Sequence, residues 1–523
     1  MPSNLTNPIL NKSGIKIISA VISGVLLTAS FPKTDLSWLA WFALVPLLAS
    51  ISDLGFKQSF RLGLLAGLVH YLTLLYWLSY TMGTYGHLPV YLSIPILFLF
   101  SLYLALYIAI LSGLISSLCN KPLHLLFLVP VLWVCIEYLR SNFLTGFPWE
   151  LIAYSQYKSL HIIQVSDIFG PYGVSFLLAL SNTAFFIVLL LLTKTMWQKK
   201  SVSFKDAAIS MLVFIIAFTG CWYYGIKRIK NIDETASGSE KIRISVIQGN
   251  IGQSEKWDPA FQLSTINKYV NLSLSVKAEK PDLVVWPETA APFYFMYDKR
   301  LTEIVLDLVS GTNSSFLIGS PSFIRKDDKI EFYNSAYMLS PKANVTGKYD
   351  KSHLVPFGEY VPLKKWLPFI GKIVENVGDF NSGKKGSTIS LNSNSLGVLI
   401  CYELIFPYLA RAQVNNGAGL LVNMTNDAWY GTTSAPYQHF SMAVFRAVEN
   451  RRTLARAANT GISGFIDPAG RIIDSTNLYK DAAITRKVPI LTAKTFYTRF
   501  GDLFAFACLT IAALIGLVKF IKK

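Results

Sequence analysis

Long apolar runs fill most of residues 15–225, and they constrain the fold of this chain more than any other feature. A helix needs about 20 mainly apolar residues to cross the hydrocarbon core of a bilayer. With a last run near the C-terminus they predict eight membrane-spanning helices, at about residues 16–31, 37–52, 62–82, 89–118, 123–141, 172–193, 207–225 and 501–518. The first two runs are short for a full crossing, which is consistent with a tight hairpin.

The composition agrees with a membrane protein. Hydrophobic residues make up 52% of the 523 residues, charged residues make up only 15%, and the mean hydropathy is +0.41. The net charge of +17 is explained by basic residues gathered at one face of a membrane. The sequence has no basic stripe or nucleic-acid-binding motif, so we expect no nucleic acid partner.

Basic residues between the runs predict the orientation. Lys12, Lys57, Lys121, Lys194 and Lys519, with their basic neighbours, all fall on the same side of an eight-span arrangement. Because basic loops are retained in the cytoplasm, both termini are predicted to be cytoplasmic. Three basic residues at 227–230 oppose this orientation, but they are outnumbered.

Residues 228–495 have a different pattern, in which strand-like runs alternate with helical periodicity. The helical stretches are at about 260–278, 299–310, 406–416 and 436–458, and such alternation indicates a layered α/β domain. The predicted organisation is therefore a membrane domain with seven spans at 1–227, an extracytoplasmic α/β domain at 228–495, and an eighth span with a cytoplasmic tail at 496–523. The α/β domain is thus inserted between the seventh and eighth transmembrane helices.

One cysteine lies outside the apolar runs. Cys401 follows the apolar residues of "LGVLICYELIFP" (396–407), where a buried strand is predicted to stop and a helix to begin. The other four cysteines lie in strongly apolar stretches: Cys119, Cys135, Cys221 and Cys508. The sequence has no CxxC or Cys/His cluster, so no metal site is expected. A lone buried cysteine often serves only packing, and that alternative stays open for Cys401 taken by itself.

Three short stretches combine reactive groups with rigid and aromatic neighbours. Glu288 lies in "VVWPETAAP", Lys351 and Glu359 lie in "GKYDKSHLVPFGEYVP", and Cys401 lies in the stretch above. A thiol must lose its proton to attack an acyl group, a carboxylate can take that proton, and a cation can stabilise the resulting oxyanion. The set is therefore sufficient for acyl transfer if the side chains converge. Taken singly, each charged residue could also be an ordinary surface or turn residue.

The three stretches, in this order, resemble the motifs of the carbon–nitrogen hydrolase (nitrilase) superfamily. The stretches "NMTNDAWYG" and "RAVENRRTLARAANTGISGFIDPAGR" add to the match, and with its spans nearly the whole chain is similar to the bacterial apolipoprotein N-acyltransferase family. The resemblance implies a nitrilase-like αββα sandwich. It also implies that Glu288 is the general base, Lys351 the oxyanion-stabilising lysine and Cys401 the nucleophile. Supporting or substrate-binding roles are implied for Glu359, Tyr402, Glu403 and Trp257, the last on a loop near the lipid entrance.

The same resemblance implies the reaction and its location. A phospholipid, phosphatidylethanolamine in the family, would give an acyl chain to the thiol. A diacylated apolipoprotein would then accept it on its N-terminal α-amino group. No cofactor is implied. The location implied is the bacterial inner membrane, with the α/β domain on the periplasmic side. Two alternatives stay open: a membrane-tethered amidase or nitrilase in which water resolves the thioester, and a transporter with an extracytoplasmic sensor domain.

Two further groups of polar residues have structural interpretations. Asn423, Asn426 and Asp427 end a predicted strand, where support of the pocket is preferred over direct catalysis. His353 and His439 are expected to be structural. The charged residues of the helical stretch 436–458 are expected to form a solvated or intradomain salt-bridge face.

Overall fold

The computed structural model describes residues 13–326, 329–362 and 380–521, and these form two compact units. The first unit is drawn from Met1–Ile229, Thr433–Ser441 and Phe500–Lys523, and the second from Lys230–Thr432 and Met442–Arg499. The domain boundaries predicted at residues 228 and 495 remain a proposal.

The first unit is helical. Among the described residues, five helices are long and apolar enough to cross a membrane: Val90–Leu118, Pro122–Asn142, Pro171–Thr193, Phe204–Ser237 and Leu503–Ile521. The helices Phe56–Leu74 and Trp77–Thr84 meet this criterion together but are bent by 49° relative to each other, so they form either a broken span or a re-entrant segment.

The first two predicted spans form shorter elements. They are the helix Ser13–Ala29, the 3₁₀ turn Ser37–Trp41 and the helix Val45–Ser50. The remaining elements of this unit are the short helical segments Ile152–Gln156, Leu160–Ile163 and Ser166–Phe169 and the two-stranded hairpin Met196–Trp197 and Lys200–Ser201. The predicted count of eight spans therefore remains a prediction.

Small residues allow the helices of the first unit to approach closely. A Cβ atom on Gly63 would lie 2.7 Å from the carbonyl oxygen of Ile108, and one on Gly67 would lie 2.9 Å from the Cα of Ala105. Both contacts join the helices Phe56–Leu74 and Val90–Leu118. Close backbone approach at small residues is the usual way in which membrane helices gain packing energy, because lipid offers no hydrophobic driving force between them.

The second unit contains two six-stranded sheets. The strands of the first sheet, in spatial order, are Ala482–Pro489, Lys241–Gln248, Leu283–Val285, Ser315–Lys326, Lys329–Leu339 and Val345–Asp350. Those of the second sheet are Ile472–Ser475, Gly464–Ile466, Leu454–Ala458, Leu420–Thr425, Asn394–Ile400 and Thr388–Leu391. The helices of this unit include Gln253–Lys256, Pro259–Ser275, Lys299–Thr312 and Pro407–Asn415.

Side chains alternate between the two faces of each sheet. On the inner face, Ile244 of the first sheet and Val398 and Val422 of the second belong to one buried cluster. On the outer face of the first sheet, a second cluster joins strand residues such as Val284 to helix residues such as Val305. The second sheet is covered by the helix Pro407–Asn415, whose Gln413 donates a hydrogen bond to the carbonyl of Val398. Helical layers therefore enclose two sheets, which confirms the predicted layered α/β domain.

One predicted helix is shorter than expected. The helix that begins at Ala435 ends at Asn450, and residues 454–458 form a strand parallel to Leu420–Thr425. The helix is followed by Arg451, whose φ of 52° does not continue a right-handed helix.

Of the two arrangements expected for the charged residues of this stretch, a solvated face or intradomain salt bridges, the structure has the second, with the residues buried. Arg446 pairs with Glu449 at 2.5 Å and Arg456 pairs with Asp427 at 2.7 Å, both inside the second unit. A buried guanidinium must be hydrogen-bonded or paired, and these ion pairs meet that requirement. The alternative of intradomain salt bridges describes these residues correctly.

Candidate active site

Three of the predicted residues lie just after strands. Cys401 follows the strand Asn394–Ile400 directly, Glu288 comes three residues after Leu283–Val285, and Lys351 follows Val345–Asp350. Glu288 and Lys351 thus come from the first sheet and Cys401 from the second. The two sheets pack face to face, so strand ends that meet at one edge bring these side chains together.

The backbone of Cys401 is strained. Its φ of 51° lies in the left-handed region, which few residues other than glycine adopt, and a 3₁₀ turn, Cys401–Ile405, begins at this residue. The side chain is only 6% exposed. Backbone strain of this kind costs about 1–3 kcal/mol and persists where surrounding structure imposes it, often at functional sites. Packing alone does not explain a strained cysteine at the end of a strand.

The thiol of Cys401 interacts electrostatically with both charged members of the predicted triad. Burial first and the Glu288 carboxylate second raise its pKa, and the Lys351 ammonium and a hydrogen bond with Thr425 lower it, with a net result of about 12. At neutral pH the resting thiol is therefore protonated. A base must accept its proton during attack, and Glu288 is the carboxylate with the largest effect on this thiol.

The carboxylate of Glu288 is held by three contacts. Its Oε1 accepts a hydrogen bond from the side-chain amide of Asn334 at 2.8 Å and lies 3.6 Å from Nζ of Lys351. Its Oε2 accepts from the backbone N–H of Asn426 at 2.9 Å. The side chain is 7% exposed. These contacts fix the orientation of the carboxylate beside the thiol.

Lys351 is paired with a second carboxylate. Its Nζ lies 2.9 Å from both Oε1 and Oε2 of Glu359, and the lysine is 1% exposed. Burial alone would lower the pKa of Lys351, but the carboxylates of Glu359 and Glu288 outweigh it and raise the pKa. The lysine is therefore a permanent cation. Asn334 also donates to Glu359 at 3.0 Å, so one amide bridges both carboxylates.

Glu403 lies beneath the site. It is fully buried and accepts hydrogen bonds from the backbone N–H of Ile400 at 2.8 Å, from that of Ser352 at 2.7 Å and from the hydroxyl of Tyr349 at 2.9 Å. Ile400 directly precedes Cys401, and Ser352 directly follows Lys351. This one carboxylate therefore connects the strand end that carries Cys401 to the segment that carries Lys351.

The other two predicted residues have different environments. Tyr402 is 7% exposed and packs against the ring of Phe406, with 5.1 Å between the ring centroids. Trp257 follows the short helix Gln253–Lys256 and is 47% exposed. The structure thus brings Glu288, Lys351, Glu359 and Cys401 together, sets Tyr402 and Glu403 beside and beneath them, and leaves much of the Trp257 surface open.

Two of the residues expected to be structural make the following contacts. Asn423 donates to the carbonyl of Leu399 at 2.8 Å, next to the end of the strand that precedes Cys401. His353 packs on Phe406 with 3.9 Å between ring centroids, and burial together with Lys351 lowers its pKa to about 4, so it is neutral.

Two residues of the site were missed in the sequence. Asn334 lies in an ordinary strand, and no local signal distinguishes its role. Lys256 precedes Trp257 in "QSEKWDP", and its polar neighbours resemble a surface loop. In the structure Lys256 is 2% exposed, and its Nζ donates to the backbone carbonyl of Glu288 at 2.9 Å. Burial lowers the pKa of Lys256 to about 8, against the opposing effects of Glu288 and Cys401.

The burial of Lys256 predicts a pH-dependent effect on stability. Its pKa is about 8 in the folded protein and about 10.4 in an unfolded chain, so the unfolded chain binds more protons between these values. The stability of the protein should therefore increase with pH in this window relative to a Lys256→Met variant, by about 3 kcal/mol in total. Melting temperatures at pH 7.5, 9 and 10.5 measure the effect. The exposed Lys299 provides the control variant Lys299→Met, for which the difference should stay constant.

Two family models match the chain, one in its N-terminal part and one in its C-terminal part. Residues 23–184 match the family model for the apolipoprotein N-acyltransferase N-terminal domain, and residues 243–493 match that for carbon–nitrogen hydrolases. Apolipoprotein N-acyltransferase of Geobacter metallireducens is 42% identical over 507 residues, which cover 97% of this chain and 95% of that protein. The protein of the same name from Chlorobaculum tepidum is 31% identical, with 96% of each chain covered.

A solved structure matches about half of the chain. Saccharomyces cerevisiae Nit3, a member of the nitrilase superfamily, is 19% identical with a TM-score of 0.38, and the match covers 48% of this chain and 90% of that one.

Proposed function

The chain belongs to the apolipoprotein N-acyltransferase family, and we propose that it moves an acyl chain from a phospholipid, through a thioester on Cys401, to the α-amino group of an N-terminal diacylglyceryl-cysteine. The observation that carries this proposal is the buried group of Cys401, Glu288 and Lys351. The product is a triacylated lipoprotein. The amidase alternative is not favoured, because relatives that match nearly the full length carry the acyltransferase name.

In the first half-reaction the sulfur of Cys401 attacks the ester carbonyl of the phospholipid. Glu288 takes the thiol proton, and the ammonium of Lys351 stabilises the oxyanion of the tetrahedral intermediate. Collapse of this intermediate breaks the ester bond. The lysophospholipid oxygen leaves with the proton from Glu288, and the acyl chain stays on sulfur as a thioester.

In the second half-reaction the α-amino group of the lipoprotein attacks the thioester carbonyl. Glu288 accepts a proton from the amine, and Lys351 again stabilises the oxyanion. The Cys401 thiolate leaves and recovers its proton from Glu288, so the site returns to its starting state. Because one thiol serves both steps, donor and acceptor occupy the site in turn and the kinetics are ping-pong.

The neighbouring carboxylates prepare the site for both steps. Glu359 keeps Lys351 charged despite its burial, since the 2.9 Å ion pair compensates the lost hydration. Through hydrogen bonds from the backbone N–H groups of Ile400 and Ser352, Glu403 holds the strand that precedes Cys401 next to the segment that carries Lys351. Neither group needs to exchange a proton. Both act by holding the reacting groups in position, which is where much of the rate acceleration of such sites originates.

We place the protein in the bacterial inner membrane, with the catalytic domain on the periplasmic side and both termini in the cytoplasm. Both substrates are held in a membrane by their acyl chains, so a membrane-embedded enzyme avoids much of the entropic penalty of bringing them together. A reporter that is active only outside the cytoplasm, fused after Lys523, should therefore be silent, and the same reporter inserted within residues 381–395 should be active. The reverse pattern would contradict this orientation.

The function is tested by separating the two half-reactions. Purified protein incubated with phosphatidylethanolamine alone should accumulate the acyl mass on a peptide that contains Cys401, together with one lysophospholipid per protein. Addition of a diacylated lipopeptide should remove the thioester and yield a triacylated peptide. If the thioester instead hydrolyses to free fatty acid at the same rate with and without the lipopeptide, the protein is an amidase-type hydrolase and the proposal fails.

The exposed Trp257 predicts a kinetic effect without a structural one. A side chain that is 47% exposed contributes little packing, whereas an aromatic ring at a lipid surface can grip an acyl chain. Trp257→Ala should therefore slow thioester formation or its transfer by about tenfold, which corresponds to about 1.4 kcal/mol, and leave the melting temperature within about 1 °C. Trp257→Phe should recover most of the rate. Wild-type rates in both half-reactions would contradict a role in substrate handling.

A further inference from the structure

An open cavity of about 560 Å³ lies in the first unit, between the helices Pro171–Thr193 and Phe204–Ser237, the 3₁₀ turn Ser37–Trp41 and residues 158–162. Its volume is in the range of about 300–1,000 Å³ that is typical of ligand pockets. None of the groups proposed for the acyl transfer lines it.

One wall of the cavity is a continuous series of aromatic rings. Phe185 contacts Phe214, Phe214 contacts Phe218, and Phe218 stacks on Trp222, with centroid distances of 5.6, 5.9 and 6.0 Å. Trp41 lies edge-on to Phe218 at 5.4 Å. Phe185 and Trp222 are 36% and 41% exposed, so the wall is open to the surroundings of the unit. Such a surface suits a long apolar chain.

Polar groups occupy the other end of the cavity. They are Lys158, Ser159 and His161, and the ring of His161 lies 4.7 Å from that of Trp222. Lys158 pairs with Asp35, but its side chain is 62% exposed. An exposed ion pair is worth only about 0–1 kcal/mol, so Lys158 is able to turn to a competing phosphate at little loss.

The distance between Phe214 and Trp222 along the helix Phe204–Ser237 matches the depth of one leaflet. At 1.5 Å per residue, Phe214 lies about 15 Å from the start of this helix and Trp222 about 27 Å from it. In a hydrocarbon core of about 30 Å, the first position is near the midplane and the second near the far interface, where tryptophan is favoured. The apolar end of the cavity thus lies where acyl chains end, and the cationic end lies where phosphates are.

We infer that this cavity is a binding site for one phospholipid, with an acyl chain along the Phe185–Phe214–Phe218 wall and its phosphate at Lys158 and His161. The inference rests on the proposed membrane location. It assigns to the first unit a lipid site that shares no lining residue with the proposed acyl-transfer site. Recognition through the phosphate makes the site indifferent to the rest of the headgroup, so phosphatidylethanolamine and phosphatidylglycerol should both occupy it.

Lipid retention by the full chain tests the site. Protein is reconstituted in vesicles of pure phosphatidylethanolamine or pure phosphatidylglycerol, extracted in mild detergent and examined by native mass spectrometry. The wild type should retain a tightly held phospholipid from either vesicle. Leu160→Trp, which fills the cavity, and Lys158→Glu, which repels the phosphate, should each lower its occupancy about tenfold, as expected for the loss of about 1.4 kcal/mol. The matched control is Lys227→Glu, since Lys227 is exposed on the helix Phe204–Ser237, which forms one side of the cavity, but does not line it.

Each outcome has a defined meaning. Full retention in Leu160→Trp, or in Ser159→Trp if the first variant does not fold, would overturn the site. Full retention in Lys158→Glu, or retention from phosphatidylglycerol vesicles alone, would overturn the assignment of the phosphate. Retention of detergent but no phospholipid would also overturn the inference. Thioester formation on Cys401 is measured separately, so a protein that keeps its lipid but forms no thioester would contradict the proposed function and leave this site standing.

Discussion

Replacement of Cys401 with alanine should abolish both thioester formation and lipoprotein acylation, with a loss of at least about 10⁴-fold in turnover. Both half-reactions pass through this sulfur, and none of the neighbouring side chains in the described residues offers a second thiol. The change should leave the melting temperature nearly unaltered. Alanine removes one atom from a side chain at a strand end and tolerates the positive φ of residue 401 about as well as cysteine does.

Cys401→Ser should fail almost as completely. A hydroxyl is far less acidic than a thiol, and burial that raises the pKa of the thiol to about 12 disfavours an alkoxide still more. The control is Cys221→Ala, since Cys221 is partly exposed and lies in the first unit. That variant should keep wild-type rates. Substantial acyl transfer by Cys401→Ala would show that the thioester route is wrong, whatever the family name.

Two reactive residues at strand ends were recognisable in the sequence because each follows an apolar run. "VVWPET" and "LICYE" each show an apolar run that stops at a reactive group, and the structure places Glu288 and Cys401 there. The contacts that organise the site were not recognisable. Asn334 and the backbone N–H of Asn426 reach Glu288 from elements 46 and 138 residues away. Such pairings depend on the register of two sheets, which no local pattern contains.

The burial of charge was also beyond local patterns. The stretch 436–458 has a helical period and many charges, which usually indicates a solvated face. It is instead a helix followed by a buried strand, because Leu454–Ala458 pairs with Leu420–Thr425 and Arg456 finds Asp427. Lys256 is a second charged residue whose burial the neighbouring sequence does not indicate. Its neighbours are polar, yet its ammonium is enclosed against the carbonyl of Glu288.

The first unit shows what hydropathy does not predict. Hydropathy identifies an apolar run, but a helix that crosses a membrane must also be long and continuous. The helix Ser13–Ala29 has 17 residues, and the run at 37–52 divides into a 3₁₀ turn and a helix of six residues. Pro46 lies in the first turn of the helix Val45–Ser50, and Gly55 directly precedes the helix Phe56–Leu74, so both mark helix starts that hydropathy alone does not indicate.

Lys351→Met should cause the largest combined loss of activity and stability. The lysine is 1% exposed and lies 2.9 Å from Glu359 and 3.6 Å from Glu288, so its removal leaves two buried carboxylates facing each other without a cation. Loss of one partner from a buried ion pair typically costs about 3–5 kcal/mol. Loss of the oxyanion-stabilising charge should lower the rate of thioester formation by about 10²–10³-fold or more. Thermal unfolding and the thioester assay measure the two effects independently.

A second substitution separates the two roles of this lysine. In the double variant Lys351→Met/Glu359→Gln the side chain at position 359 is neutral, so it no longer repels the carboxylate of Glu288. Much of the lost stability should therefore return. The rate of thioester formation should stay low, because no cation faces the oxyanion. The control is Lys348→Met, three residues earlier, since Lys348 pairs with Asp350 at 2.9 Å in a more exposed setting and should be dispensable for catalysis. Recovery of activity along with stability in the double variant would mean that Lys351 only neutralises its neighbours. A persistent loss of activity in a stable protein would assign it to the reaction itself.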